Sequence, residues 1–339
     1  MTMSTTSYPK RDDHQACCYS GPAVLSAHSI GAEVYSLLRA GCYSEATQGL
    51  VHSVFDRALN ILFPGGVLVG VVTRSAGESP FNIVLRTDSS LRETGVTQGE
   101  VCTPVGNYRL DIGKTLSINA LGSRVYVSEH KFTRRLLHPL GISSNVRAMK
   151  GFVCGRGRLD GLGALIDVTK RNDVGRVNFL IQGQSLRRVR ELLRAIKERD
   201  TKTVEEASGD LVGMGQGLTP AMDDLLCGIM LSYYLLTENL VGGDLNWARR
   251  TNQLIISRSE ERTTALSSQY LKQAAIGNGN EFSVGMVRDL ATSPDLRGIE
   301  GSTARLLAIG STSGTDAAIG ILLGSELALK MLPESGNND

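Results

Sequence analysis

Val67-Leu-Val-Gly-Val-Val-Thr73, followed by Phe81-Asn-Ile-Val-Leu-Arg-Thr87, decides the fold of the first half. Both runs are short, rich in β-branched residues and bounded by Gly, Ser and Pro clusters, so they read as strands. Tyr108–Ile112, Leu116–Asn119 and Arg124–Ser128 continue the series. Such regular spacing fits an antiparallel sandwich or barrel better than βαβ units. Gly113-Lys114-Thr115 then reads as a turn between two strands; Tyr108 stands where a phosphate loop of the Walker type needs its first glycine.

Working outward, Val51, Val54, Phe55, Ala58 and Leu62 fall at helical spacing, which predicts a helix over Ala46–Leu62 that stops at Phe63-Pro64-Gly65-Gly66. Residues 1–28 are polar and rich in Ser and Thr, the composition of a mobile arm. Downstream, Ala164–Val168 and Val177–Ile181 are strand-like. The pattern changes near Gln182. Ser185–Arg199 is an amphipathic helix with Leu186, Val189, Leu192, Leu193 and Ile196 on one face. Apolar runs keep a helical period to about Lys330, enough for five or six helices. The expected class is α+β: an antiparallel β-rich domain, sandwich or barrel-like, over 29–182, an α-helical domain over 183–332, and a polar tail at 333–339.

Composition narrows the function. The 339 residues carry 36 Lys and Arg against 34 Asp and Glu, a net charge of +2, so no bulk field recruits nucleic acid or an anionic membrane. Six cysteines without a C-x-x-C pair build no disulfide framework, and five scattered histidines show no zinc spacing. The first thirty residues have no continuous apolar h-region, and Leu225–Leu236 is too short for a membrane span, which places the expected location in the cytoplasm. Glycine is the outlier: 38 copies, against about 24 at a usual share of roughly 7%.

Much of that surplus gathers in two segments. Leu211–Gly228 reads L-V-G-M-G-Q-G-L-T-P-A-M-D-D-L-L-C-G. Gly213, Gly215 and Gly217 strip side chains from one loop, so its amides can approach a ligand. Thr219 as N-cap and Pro220 as first helical residue then start a helix whose N–H groups suit phosphate or carboxylate. Asp223 and Asp224 lie about 100° apart on it, placing one toward the site to hold a substrate amide or Mg²⁺. A tight turn with two aspartates complementing the helix dipole is the competing reading. Ile309–Gly324 echoes the pattern, with Gly310, Ser311, Ser313 and Gly314 leading into Asp316, and Gly320 matching Gly228. Two similar helix starts side by side would face one anion; an internal Gly-x-x-x-Gly is alternatively a packing notch. Arg258–Gly277 reads as a helix with Thr263, Thr264 and Ser267 near one face, either ligand donors or back-bonded hydroxyls. His52-Ser53 is a His-Ser neighbour pair, and neighbours diverge on a helix, so it is no dyad by itself. The arginines of 134–135, 147–158 and 187–199 are solvated faces, any of which can balance an anion.

Val51-His52-Ser53-Val54-Phe55 with Ala58 and Asn60, the glycine–Leu-Thr-Pro–Asp-Asp block, Arg262-Thr263-Thr264-Ala-Leu-Ser267 and Ile309-Gly-Ser-Thr-Ser-Gly-Thr-Asp316 occur in one order, and with them the chain resembles the AllH family. Ala221-Met222 replaces the family's usual Ser-Gly, and Ser311 its usual histidine. The resemblance implies a subunit of oxamate carbamoyltransferase, from a family formerly grouped as carboxylases. It implies carbamoyl phosphate and oxamate as substrates, interconverted with oxalurate and phosphate in allantoin breakdown, and AllF- and AllG-type partner subunits. It carries Asp223, Asp224 and Asp316 over as catalytic candidates. The candidates for substrate binding are Gly213, Gly215, Gly217, Thr219, Thr263, Thr264, Ser267, Gly310, Ser311, Ser313, Gly314, His52 and Ser53. Two other readings stay open: a non-catalytic anion-binding subunit (with such partners or as a homo-oligomer), and a carboxylase-like enzyme with a changed substrate.

Overall fold

The structure, a computed structural model, describes residues 22–40, 47–159, 162–167 and 179–333. The segment 1–21 of the expected arm and 334–339 of the expected tail lie outside the described residues. The strands are β1 (Ala23–Gly31), β2 (Gly49–Val54), β3 (Ala58–Phe63), β4 (Val67–Val72), β5 (Asn82–Leu85), β6 (Val101–Pro104), β7 (Arg109–Ile112), β8 (Leu116–Asn119) and β9 (Arg124–Tyr126). Eight of them close into a barrel in the order β5-β4-β3-β2-β6-β7-β8-β1. The closing strand is β1. It runs antiparallel to β5 (Ile30 opposite Ile83) and parallel to β8 (Val24 opposite Ser117). Its far end pairs with β9, the extra strand outside the closed ring. Most pairings are antiparallel; β4–β5 is parallel, like the two that β1 makes with β8 and β9. Leu59, Ile61, Ile83, Leu85, Leu110, Ile112 and Ile118 fill the interior, and Val34 and Leu38 of α1 (Ala32–Ala40) join that core.

Three sequence expectations change here. Ala23–His28 of the expected arm belong to β1. The helix expected over Ala46–Leu62 is the β2–β3 hairpin, with Leu50 opposite Leu62 and Val54 opposite Leu59. The residues at helical spacing are not the buried set: Val51, Leu59, Ile61 and Phe63 face the core while Ala58 and Leu62 sit on the other face, and pairing with β6 and β4 selects the strand. Ala164 lies in a short 3-10 turn, Gly163–Asp167, rather than in a strand; Val168 and Val177 lie outside the described residues. Phe179, next in that second expected strand, opens a helix.

After β9 ten helices follow among the described residues, beginning with α2 (Pro139–Arg156), well ahead of residue 182. The others are α3 (Phe179–Glu198), α4 (Thr201–Leu211), α5 (Ala221–Asn239), α6 (Leu245–Ile256), α7 (Ser259–Arg262), α8 (Ala265–Ala275), α9 (Glu281–Thr292), α10 (Leu296–Leu307) and α11 (Ser313–Lys330). From α3 onward there are nine rather than five or six, because Asp200, Asp244, Asn280 and Asp295 each cap a new helix after a short turn. The expected amphipathic helix is α3, with Val189, Leu192 and Ile196 buried.

At the centre lie α5 and α11, apolar around most of their circumference and enclosed by the rest. Among the described residues no helix is long and apolar enough to cross a membrane. The two cross backbone to backbone. A Cβ on Gly228 would lie 2.3 Å from the Ala317 carbonyl oxygen, and one on Gly320 would lie 2.1 Å from that of Leu225. The barrel docks on this bundle. Where β5 no longer reaches β4, the Gln269 side-chain amide of α8 completes the ladder, accepting from Leu68 N at 2.9 Å and donating to Leu68 O at 2.7 Å. Glu281 N donates to Glu78 O, and Tyr126 donates its hydroxyl to Gly279 O.

Replacing Gly320 with alanine is expected to cost about 3 kcal/mol by overpacking. Gly151 of α2 has nothing within 4 Å of its added Cβ, so Gly151→Ala is expected to stabilise by about 0.5–1 kcal/mol. Urea unfolding of both variants checks the contrast; similar effects at the two sites would rule out the close crossing.

Candidate functional site

The chain leaves α4 at Leu211 and must turn sharply to enter α5. Gly213 (φ 80°) and Gly215 (φ 131°) make the turn in backbone conformations that favour glycine. A Cβ on Gly213 would lie 2.0 Å from the Arg262 carbonyl oxygen, and one on Gly215 would lie 2.5 Å from Ala221 N. Met222 N donates to Met214 O, folding the loop back over the helix start.

Asp223 holds this loop. Its buried carboxylate accepts from Gly213 N at 2.8 Å and from the Thr263 hydroxyl. Burial pushes its pKa up, against the pull of those donors and of Ser267. Thr264 adds a second staple: its hydroxyl donates to Leu218 O at 2.6 Å and accepts from Ser267 N at 3.1 Å. The helix expected over Arg258–Gly277 is therefore broken into α7 and α8, with Thr264 as the N-cap of α8. Thr263, Thr264 and Ser267 thus meet Asp223 and the glycine loop, as supports of the loop backbone.

Asp224 faces the other way. The helix α5 begins at Ala221, one residue later than expected, with Pro220 in the cap position and no side-chain cap. Thr219 is thereby released from capping, and its hydroxyl lies 3.1 Å from the Ser313 hydroxyl at the start of α11. Both hydroxyls lie beside Asp224 and pull its pKa down, and its Oδ2 has no solvent contact and no hydrogen-bond partner. Burial first, and then the charge of Asp316, raise the Asp224 pKa to about 8 despite those hydroxyls. Asp316 is fully buried on α11. Cys227 and Tyr270 line the same interior. Burial and the aspartate charges push the thiol well up, and burial with Asp224 pushes the phenol up to about 12.

The second glycine segment joins the first, as its echo suggests. Gly310 turns the chain at φ 58°, and a Cβ on Gly314 would lie 2.1 Å from Leu306 O. An arginine that the sequence left on a solvated face meets this helix start. Arg158 donates from its backbone N to the Thr315 hydroxyl at 3.1 Å and from its guanidinium to the Ser311 hydroxyl at 3.2 Å. Among the described residues, Arg158 pairs with no carboxylate. The amides of residues 215–219 and 310–312 likewise donate to no protein acceptor among the described residues. Two loops of open N–H groups, linked through Thr219 and Ser313 and flanked by Arg158, form a concentrated set of donors.

His52 and Ser53 stand apart. They lie on β2, where the register with β3 shifts, and Ser53 accepts from His52 or donates to it at 3.2 Å and accepts from Asn60 at 3.0 Å. No hydrogen bond among the described residues joins them to the glycine loops. For Mg²⁺, Asp223 has both oxygens engaged, which leaves Asp224 as the one of the pair with an open oxygen. No group of three His, Cys, Asp or Glu side chains gathers as a metal site among the described residues.

A closed eight-stranded barrel with an extra strand, followed by a helical region whose two central helices begin at glycine loops, defines an α+β protein with its donors at paired helix starts. The AllH family N-terminal domain matches residues 26–125, and the oxamate carbamoyltransferase subunit AllH matches residues 211–325. The chain belongs to the AllH family. The first match spans the barrel strands and the second runs from the glycine loop into α11. No solved structure matches the chain.

A carboxyl protonated in the folded chain and ionised in the unfolded one makes folding less favourable as pH rises from about 4 to about 8. Asp224→Asn cannot ionise, so its Tm relative to the unaltered chain is expected to climb across that interval and level off above it. A difference constant with pH would mean that Asp224 ionises normally.

Proposed function

We propose that this chain is a subunit of a carbamoyltransferase and holds a small oxyanion where its two glycine loops meet. The observation that carries this reading is the set of open amides at 215–219 and 310–312, joined by the 3.1 Å Thr219–Ser313 contact. The family name supports carbamoyl transfer to oxamate, and carbamoyl phosphate and oxamate are both small anions. Backbone N–H groups at helix starts suit a phosphoryl or carboxylate group, and Arg158 supplies the local positive charge that a net charge of +2 over the whole chain does not. The chemistry this favours is positioning of two anions and stabilisation of a tetrahedral oxyanion by fixed donors. Asp223, Thr263, Thr264 and Ser267 act through the loop they hold, while Thr219, Ser313, Ser311 and Asp224 face the ligand. His52 and Ser53 have no part in this cradle. Work with AllF- and AllG-type partners in the cytoplasm, during allantoin breakdown, belongs to the same proposal.

The test is phosphate release from carbamoyl phosphate and oxamate by the purified chain, alone and with its partner subunits. Turnover is expected with partners present. Thr219→Val and Ser313→Ala each remove one neutral hydrogen-bonding group and are expected to weaken inorganic phosphate binding by roughly 5- to 10-fold. Unchanged phosphate affinity in both variants would place the anion elsewhere.

A further inference from the structure

Where the outer strand of the barrel sheet meets the helical region, β9, α9 and α10 enclose a cleft of about 370 Å³ that shares no residue with the glycine loops. Pockets for small molecules run from roughly 300 to 1,000 Å³, so it has room for one. Three arginines enter it, each held from behind. Arg124 of β9 donates from Nη2 to both oxygens of buried Glu78 at 2.5 Å. Arg288 of α9 donates from Nη1 to Glu129 and from Nε to Asp289, both at 3.2 Å. Arg305 of α10 donates from Nη2 to Ser302 Oγ at 2.9 Å, and Ser302 donates in turn to Asp289. A guanidinium has five N–H groups, so each keeps donors that meet no acceptor among the described residues. Arg305 also pairs with no carboxylate among them. Ion pairs that served only to join barrel and bundle would leave no such surplus.

Acceptors stand open in the same cleft. Glu129 accepts through Oε2 alone, and Glu281, at the start of α9, accepts from Glu78 N through Oε1 alone, at 2.9 Å. With Glu78 these make three carboxylates against three guanidinium groups, so the lining is electroneutral. A lone anion or a lone cation would gain at one wall and lose at the other, whereas a molecule carrying both charges gains at both. Glu281, Gly285 and Arg288 follow one another along one face of α9. A Cβ on Gly285 would meet nothing nearer than Arg288 Nη2, at 3.5 Å, so the bare glycine leaves the middle of the cleft open.

We propose that this cleft binds a free α-amino acid as its zwitterion. The carboxylate takes the open N–H groups of Arg288 and Arg305, and the ammonium takes the open oxygen of Glu129. Because Glu129 is bonded to Arg288, donor and acceptor stand side by side, as the two charged groups of an α-amino acid do on one carbon. The side chain then runs over Gly285 toward Phe282 and Tyr126. Nothing in this cleft depends on the carbamoyltransferase reading.

The full chain is screened by thermal shift against the L-amino acids one at a time, with and without saturating inorganic phosphate. At least one is expected to raise Tm in both conditions. Its N-acetyl derivative, which lacks the cation, and its α-amide, which lacks the anion, are expected to leave Tm unchanged at the same concentration. Arg305→Gln is expected to weaken binding of that amino acid by about 10-fold or more in titration calorimetry. Gly285→Leu puts a side chain into the cleft from a helical position that leucine favours, and is expected to abolish the response while the unliganded Tm holds. No rise with any amino acid, an equal response to either derivative, or unchanged affinity in both variants would overturn the site. So would a response that saturating phosphate removes, because that places the amino acid at the glycine loops. A chain that binds the amino acid but no phosphate upholds the cleft and overturns the oxyanion cradle.

Discussion

The structure depends on one contact: the crossing of α5 and α11 without side chains between them. Gly228, Gly320 and Gly324 remove the Cβ atoms that would hold the helices apart; one on Gly324 would lie 2.4 Å from Ile229 O. Helix axes usually stay about 8–10 Å apart because side chains fill the gap, and bare glycine faces remove that spacer. Close approach puts the starts of the two helices together, and so brings Thr219 against Ser313 and Asp224 near Asp316. The glycine surplus thus does two separate jobs. Some glycines bend loops through backbone angles that other residues resist, and others permit helix contact.

The two adjacent aspartates illustrate how one residue of phase divides labour on a helix. Asp223 turns inward to Gly213 and Thr263, where its hydrogen bonds join those of Thr264 and Met222 in fixing the loop. Asp224 turns toward α11, where burial outweighs the hydroxyls. A glycine loop without such fastening would lose the entropy of ordering each time it met a ligand. Here that ordering is done by folding.

The barrel was legible from Val67 to Tyr126 because alternating β-branched runs and turn residues are local signals, as were the glycine blocks and the two helix starts. The β2–β3 hairpin was not, since Val51, Val54, Ala58 and Leu62 mimic a helical period, the alternation of Leu59, Ile61 and Phe63 is short, and the deciding partner, β6, lies some fifty residues downstream. Which aspartate holds the glycine loop was likewise hidden, because the answer is set by where Thr263 lands. The break before Ala265 carried a local signal, Thr264 three residues ahead of Ser267, which is ordinary N-cap spacing. Arg158 carried none: its partner Ser311 is 153 positions away.

The helix α8 touches both halves of the molecule within a few residues. Thr264 at its start grips the glycine loop through Leu218 O, and Gln269, little more than a turn later, stands in for a missing strand beside Leu68. A helix this short does not bend, so it works as a strut between the barrel wall and the loop. The barrel wall and the glycine loop are therefore tied to one rigid element, Thr264 at its start and Gln269 further along.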